Sequence, residues 1–177
     1  MRATSQRPTS DVRAHDLTCN FRLVQVSYYA RRYDDAVRAG RIAVELTPDS
    51  PYTFFYLALA LAACGANDQA WTAACAGHAL NDGLPLGEGY FGYLAGVLGH
   101  HAEARGVLEA IKTPALPIAW TYLGLGETTS ALDCLETAVT DQEPYAALMN
   151  VFPGCDAIRE HPRFTALSER LESMRRP

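Results

Sequence analysis

Residues 29–51 read YARRYDDAVRAGRIAVELTPDSP, and residues 61–83 read LAACGANDQAWTAACAGHALNDG. Each stretch ends one apolar helix, turns, and starts a second helix at an alanine. Two further stretches do the same: residues 98–114, LGHHAEARGVLEAIKTP, and residues 123–144, LGLGETTSALDCLETAVTDQEP. The alanines are Ala36, Ala70, Ala104 and Ala131, spaced 34, 34 and 27 apart. Turn glycines Gly65, Gly99 and Gly126 keep the same register, and Arg31 stands where the first turn would have its glycine. Self-similarity at such a period predicts an array of helical hairpins, each burying its apolar face against the next.

Close packing explains the residues at fixed offsets. Twelve positions before each alanine come Val24, Ala58, Gly92 and Ala119, and seven after come Ala43, Gly77, Ile111 and Ala138. Two helices approach closely only where the side chains at their crossing are short. Leu23, Leu57, Phe91 and Ile118 are assigned to larger core-facing positions.

Paired helices at a 34-residue period, with small residues at these offsets and Pro48 closing the first unit, resemble the tetratricopeptide repeat (TPR). The resemblance covers residues 17 to about 139 and implies an all-α, right-handed helical solenoid. Four repeats are expected, at about 17–50, 51–84, 85–111 and 112–144. They follow a flexible lead over 1–16 and precede a capping segment over 145–177. The aromatic usual near the start of each first helix is Phe54 in the second repeat but Asn20, Glu88 and Ala115 elsewhere. The 27-residue interval predicts a trimmed second helix in the third repeat. The ending, with Pro162, Arg163 and Phe164 opening a last helix, is similar to that of TPR domains in bacterial regulators and signalling proteins. Proline suits a first helical turn, because its missing N–H would be unpaired there in any case.

Charge is segregated along the chain. Residues 1–41 carry +4, residues 42–158 carry -11 and residues 159–177 carry +2, for a net -5. An acidic body repels phosphates, so nucleic acid is not expected as a partner. No apolar run reaches the length of a membrane span, and no apolar stretch follows the N-terminal arginines as it would in a secretory signal. Five cysteines, odd in number, widely spread and without a CxxC pair, suggest neither a disulfide framework nor a zinc site. A cytoplasmic location is expected.

Three clusters invite a chemical reading. Cys155 with His161 offers a nucleophile and a base, yet neither an oxyanion donor nor an orienting acid accompanies them. His100, His101 and Glu103 share a turn, where adjacent side chains diverge and no fourth ligand follows. Residues 83–92, GLPLGEGYFG, lack the lysine and hydroxyl residue of a phosphate loop, and read as a flexible lead-in to the third repeat. The chain is therefore expected to be neither an enzyme nor the holder of a metal or cofactor.

The family resemblance implies a concave groove lined by the first helix of each repeat. On this sequence its aromatic positions are Phe21, Tyr28, Tyr52, Phe55, Tyr56, Tyr90, Tyr93 and Trp120, flanked by Arg22, Gln25, Leu59 and Leu116. Tyrosine and tryptophan combine rigid area with a polar tip, which suits recognition. The same rings could instead pack between neighbouring repeats or against the last helix. The expected function is a non-catalytic adaptor or regulatory module that holds a protein or peptide rich in apolar and basic residues. No membrane partner is expected, and a homo-oligomer is allowed. The alternatives are a secretion-type TPR chaperone for an apolar client, or a small-molecule sensor or enzyme.

Overall fold

The computed structural model describes residues 21–175, which form helices and no strand. Helix α1 runs through residues 21–29. It is followed by α2 (Tyr33–Leu46), α3 (Pro51–Ala63), α4 (Asn67–Leu80), α5 (Pro85–Val97), α6 (His101–Ala110), α7 (Ala115–Gly124) and α8 (Thr128–Thr140). Two 3-10 turns, Ala146–Asn150 and Pro153–Ile158, lead into α9 (Pro162–Arg175). The expected lead over 1–16, residues 17–20 of the first repeat and Cys19 lie outside the described residues. No described helix is long and apolar enough to cross a membrane.

The four turns α1–α2, α3–α4, α5–α6 and α7–α8 share one geometry. In each, an N–H just past the turn reaches back five residues: Arg32 to Ser27, Ala66 to Leu61, His100 to Ala95 and Glu127 to Tyr122, at 2.8–2.9 Å. This helix-ending arrangement requires a left-handed residue, and glycine supplies it at no steric cost. Gly65, Gly99 and Gly126 have φ of +77°, +87° and +75°, while Arg31 adopts +59° in the same place.

The helices pack in series. α3 lies on α5 and α5 on α7, while each even-numbered helix from α4 to α6 touches the odd helix on either side of it. Ala36, Ala70, Ala104 and Ala131 are fully buried at these crossings, as are Val24, Ala58 and Ala119. α6 has 10 residues against 14 in α2 and α4, and α7 has 10 against 13 in α3 and α5; the two together account for the shortened interval.

Two expectations change. The glycine-rich stretch is no flexible lead-in, because Pro85–Gly92 belongs to α5. Its glycines let α5 lie directly on α7: a Cβ on Gly89 would stand 2.6 Å from the Pro117 Cα, and Cβ atoms on Gly92 and Gly96 would strike Thr121 and Gly124. Leu23, assigned to the core, is 57% exposed. It points away from α1's buried side, where Val24, Ser27 and Tyr28 face the rest of the molecule.

After α8 the chain turns back across the odd helices. The buried residues of this segment are Ala146, Met149, Phe152, Cys155 and Ile158, every third position. Side chains three apart eclipse in a 3-10 helix, so this spacing gives the segment one apolar edge. α9 then packs on α8, where Arg163 bonds Asp133 at 2.6 Å and Glu136 at 2.7 Å.

Candidate binding face

The odd helices bring their rings into one continuous row. Phe21 of α1 meets Tyr52 and Tyr56 of α3 at centroid distances of 6.2 and 5.4 Å. Tyr56 meets Tyr90 of α5 at 5.3 Å, and Tyr90 stacks on Trp120 of α7 at 4.7 Å. Their polar tips also join. Gln25 Nε2 donates to the Tyr56 hydroxyl at 2.8 Å, which pairs with Tyr29 and Tyr90 at 2.7 Å each. Burial, then the neighbouring tyrosines, pushes the Tyr56 and Tyr90 hydroxyls well above the ordinary phenol value. They stay protonated, and the cluster serves as hydrogen-bonded structure.

Phe152 of the C-terminal segment closes this row. Its ring lies 4.8 Å from Trp120, 5.0 Å from Tyr93, 6.2 Å from Tyr90 and 6.4 Å from Tyr28. Tyr28, Phe55, Tyr56, Tyr90 and Trp120 are interior, none more than 2% exposed. Phe21, Tyr52 and Tyr93 are half-buried. Seven of the eight are linked ring to ring along the odd helices, Tyr93 by way of Phe152; Phe55 touches Tyr90 but also packs against Gly77 of α4. In this conformation only the rim of the aromatic face reaches solvent.

The segment is tied down at the α1–α2 turn. Arg31 donates from Nη2 and Nε to the Asp156 carboxylate at 2.5 and 3.1 Å, across 125 residues of chain. Arg159 adds a third bond to that carboxylate at 2.5 Å. Burial alone would raise the Asp156 carboxyl, but these hydrogen bonds and charges hold it below its usual value. A left-handed conformation costs a residue with a side chain roughly 1–2 kcal/mol. An ion pair whose partners are 40% and 42% exposed returns only about 0–1 kcal/mol.

Beside the start of the segment, the face stays open. Tyr52, Pro85, Leu86, Pro114, Leu116, Pro117 and Tyr145 line a largely apolar cleft of about 310 Å³ at the N-terminal ends of α3, α5 and α7. Glu143, at its edge, accepts the N–H groups of Ala115 and Leu116 at 2.5 and 3.0 Å, capping α7. The cleft offers shape and apolar area with tyrosines at its rim.

The chemical candidates are dispersed. Cys155 is fully buried, and burial pushes its thiol up to about 12, so it is protonated and inert at neutral pH. His161 is exposed, its Nδ1 accepting the N–H of Arg163 at 3.2 Å as a helix cap. His100 stacks flat on Trp71 at 3.6 Å, and no group of three metal-ligating side chains exists among the described residues.

Sequence reasoning missed Tyr29, Phe152 and Asp156. Tyr29 follows Tyr28 directly and could have been assigned to the same face; the other two carry a signal only in the three-residue spacing of the segment. No family model matches the chain, and no curated protein or solved structure shows significant similarity to it.

Proposed function

We propose that the chain is a TPR-type protein, a right-handed solenoid of four helical hairpins with a C-terminal cap, and that it works as a non-catalytic interaction module in the cytoplasm. Its helix starts support the repeat reading: α2, α4, α6 and α8 begin at Tyr33, Asn67, His101 and Thr128, in the 34, 34 and 27 steps of the alanines. Four turns of one geometry support it further. The partner is a protein segment with apolar anchors, and neither nucleic acid nor cofactor enters the reading.

One observation carries the functional part. The face shared by the odd helices already holds a short irregular peptide, residues 145–161 of the chain itself, by inserting one aromatic ring among four. A surface that seats such a segment and continues into an open apolar cleft has the features of a peptide-recognition groove. The test is to capture the native partner and measure it by calorimetry against Tyr52→Ala. Loss of a rim anchor weakens affinity about thirty-fold or more, with the fold unchanged. Wild-type affinity in that variant removes the cleft from the reading.

The cleft volume favours a second reading, in which a small apolar molecule occupies it. Its 310 Å³ lies at the lower end of the range for small-molecule sites.

A further inference from the structure

Arg31 occupies a left-handed turn that the other three hairpins give to glycine, and its guanidinium reaches the C-terminal segment. Like the helices, that segment keeps its backbone hydrogen bonds to itself. Its backbone hydrogen bonds close within residues 143–165, such as Leu148 to Tyr145, Cys155 to Phe152 and His161 to Ile158. It meets the odd helices through side chains alone: the three-residue apolar stripe, with Phe152 at its centre, and the solvent-facing Arg31–Asp156 pair. Removing it from the face breaks one exposed ion pair and a set of apolar contacts, and leaves α1 to α8 with their own hydrogen bonds.

We infer that residues 145–161 are an internal ligand of the aromatic face, latched by Arg31, and that the partner is a protein segment that displaces it by presenting an aromatic residue, a glycine two positions later and an acid two positions after that. This rests on the interaction-module reading and names the partner's pattern. The pattern is that of the resident segment. Phe152 fills the ring slot, and Asp156 meets Arg31. Between them only glycine fits, because a Cβ on Gly154 would strike the Phe152 ring and stand 2.8 Å from Tyr93. A competing segment has to satisfy the same slot, the same close approach and the same guanidinium. It competes as a separate chain against a tethered one, so it must be present near the effective concentration of the tether or bind more tightly.

The experiment uses the full-length chain. Phe152→Ala empties the slot, and a synthetic peptide copying residues 145–161 is titrated into that variant and into wild type by calorimetry. The expected result is binding to the variant at least tenfold tighter than to wild type, with Gly154→Ala or Asp156→Asn in the peptide each losing tenfold. A folded variant that ignores the peptide, or equal binding by both proteins, overturns the proposal. Should Phe152→Ala fail to fold by circular dichroism, Arg31→Gly decides, since it restores the turn's usual residue while cutting the latch. Its Cys155 should then alkylate faster than in wild type, by up to about fivefold for a pair worth about 1 kcal/mol, with Cys134 unchanged. Unchanged Cys155 labelling makes the segment a fixed part of the core and overturns the proposal. Neither arm uses the native partner or alters Tyr52, so failure here leaves the Tyr52 test standing.

Discussion

Around Phe152 the aromatic face is closed, and around Tyr52 it is open. In the closed half Trp120, Tyr90 and Tyr56 are buried behind the C-terminal segment, and the two tyrosine hydroxyls find partners within the protein, while the Trp120 Nε1 has none. In the open half Tyr52 and Tyr145 border a cleft whose walls are leucine and proline. The same type of residue, on the same face, has become core in one half and surface in the other. What separates them is the path of the segment after α8. Aromatic side chains on one face therefore do not share one role, and substitutions should divide along that line.

The largest effect is expected at Trp120. It is fully buried between Tyr90 and Phe152, so Trp120→Ala leaves a cavity and costs about 3–5 kcal/mol. For a chain of this length that lowers the melting temperature by roughly 2–4 °C per kcal/mol. Tyr52→Ala, in the open half, should shift it by far less. Equal shifts, read by calorimetric melting, would erase the distinction between the halves.

Next comes the contact that carries both halves, α5 on α7. Gly96→Ala places a methyl group against the Gly124 backbone, where no flexible side chain can yield. Such overpacking costs about 1–3 kcal/mol. Gly106→Ala, at an α6 site with open space around it, serves as the control and should not destabilise. If Gly96→Ala melts like wild type, α5 and α7 are further apart than described.

A smaller effect is expected from the hydroxyl cluster. Tyr56→Phe removes the atom that joins Gln25, Tyr29 and Tyr90, at a net cost of about 1 kcal/mol. Denaturant unfolding should show the midpoint moving with the slope unchanged. A neutral result would mean that those groups find new partners without it.

The hairpins were legible in the sequence because each repeats the same local demands. A left-handed turn selects glycine, a close crossing selects alanine, and both recur at one spacing. The closed half was not legible for the opposite reason. Phe152 reaches its slot through a single non-repeated segment, whose three-residue apolar spacing belongs to 3-10 geometry and not to the 3.6-residue period of the helices. Arg31 was visible as the one turn without glycine, but its partner lies 125 residues away. Helical glycines misled for a similar reason. In Pro85–Gly92 they read as flexibility, although the demand they meet is imposed by α7, a different stretch of sequence.

The smallest expected effect is on pH, and it concerns the latch between the halves. Asp156 accepts from Arg31 of the α1–α2 turn and from Arg159 of its own segment, with Tyr33 of α2 and Tyr93 of α5 nearby. Its carboxyl is held below its usual value in the folded chain. Protonation is therefore easier in the unfolded or unlatched state, so the stabilisation is complete above the unfolded value, about 3.9, and is lost as pH falls through the lower folded value. At neutral pH the latch is fully charged; only in the acid range, below about pH 4, does it weaken. The pair is partly exposed, so the change is modest and fades with added salt. The chain has two tryptophans, Trp71 and Trp120, so a Trp71→Phe background leaves Trp120 as the reporter beside Phe152. Its emission should shift on acidification before circular dichroism records loss of helix. Asp156→Asn in that background should remove the early shift, since nothing remains there to protonate. If the asparagine variant shows the same early transition, another carboxylate governs the acid response, and the two halves are not joined through Asp156.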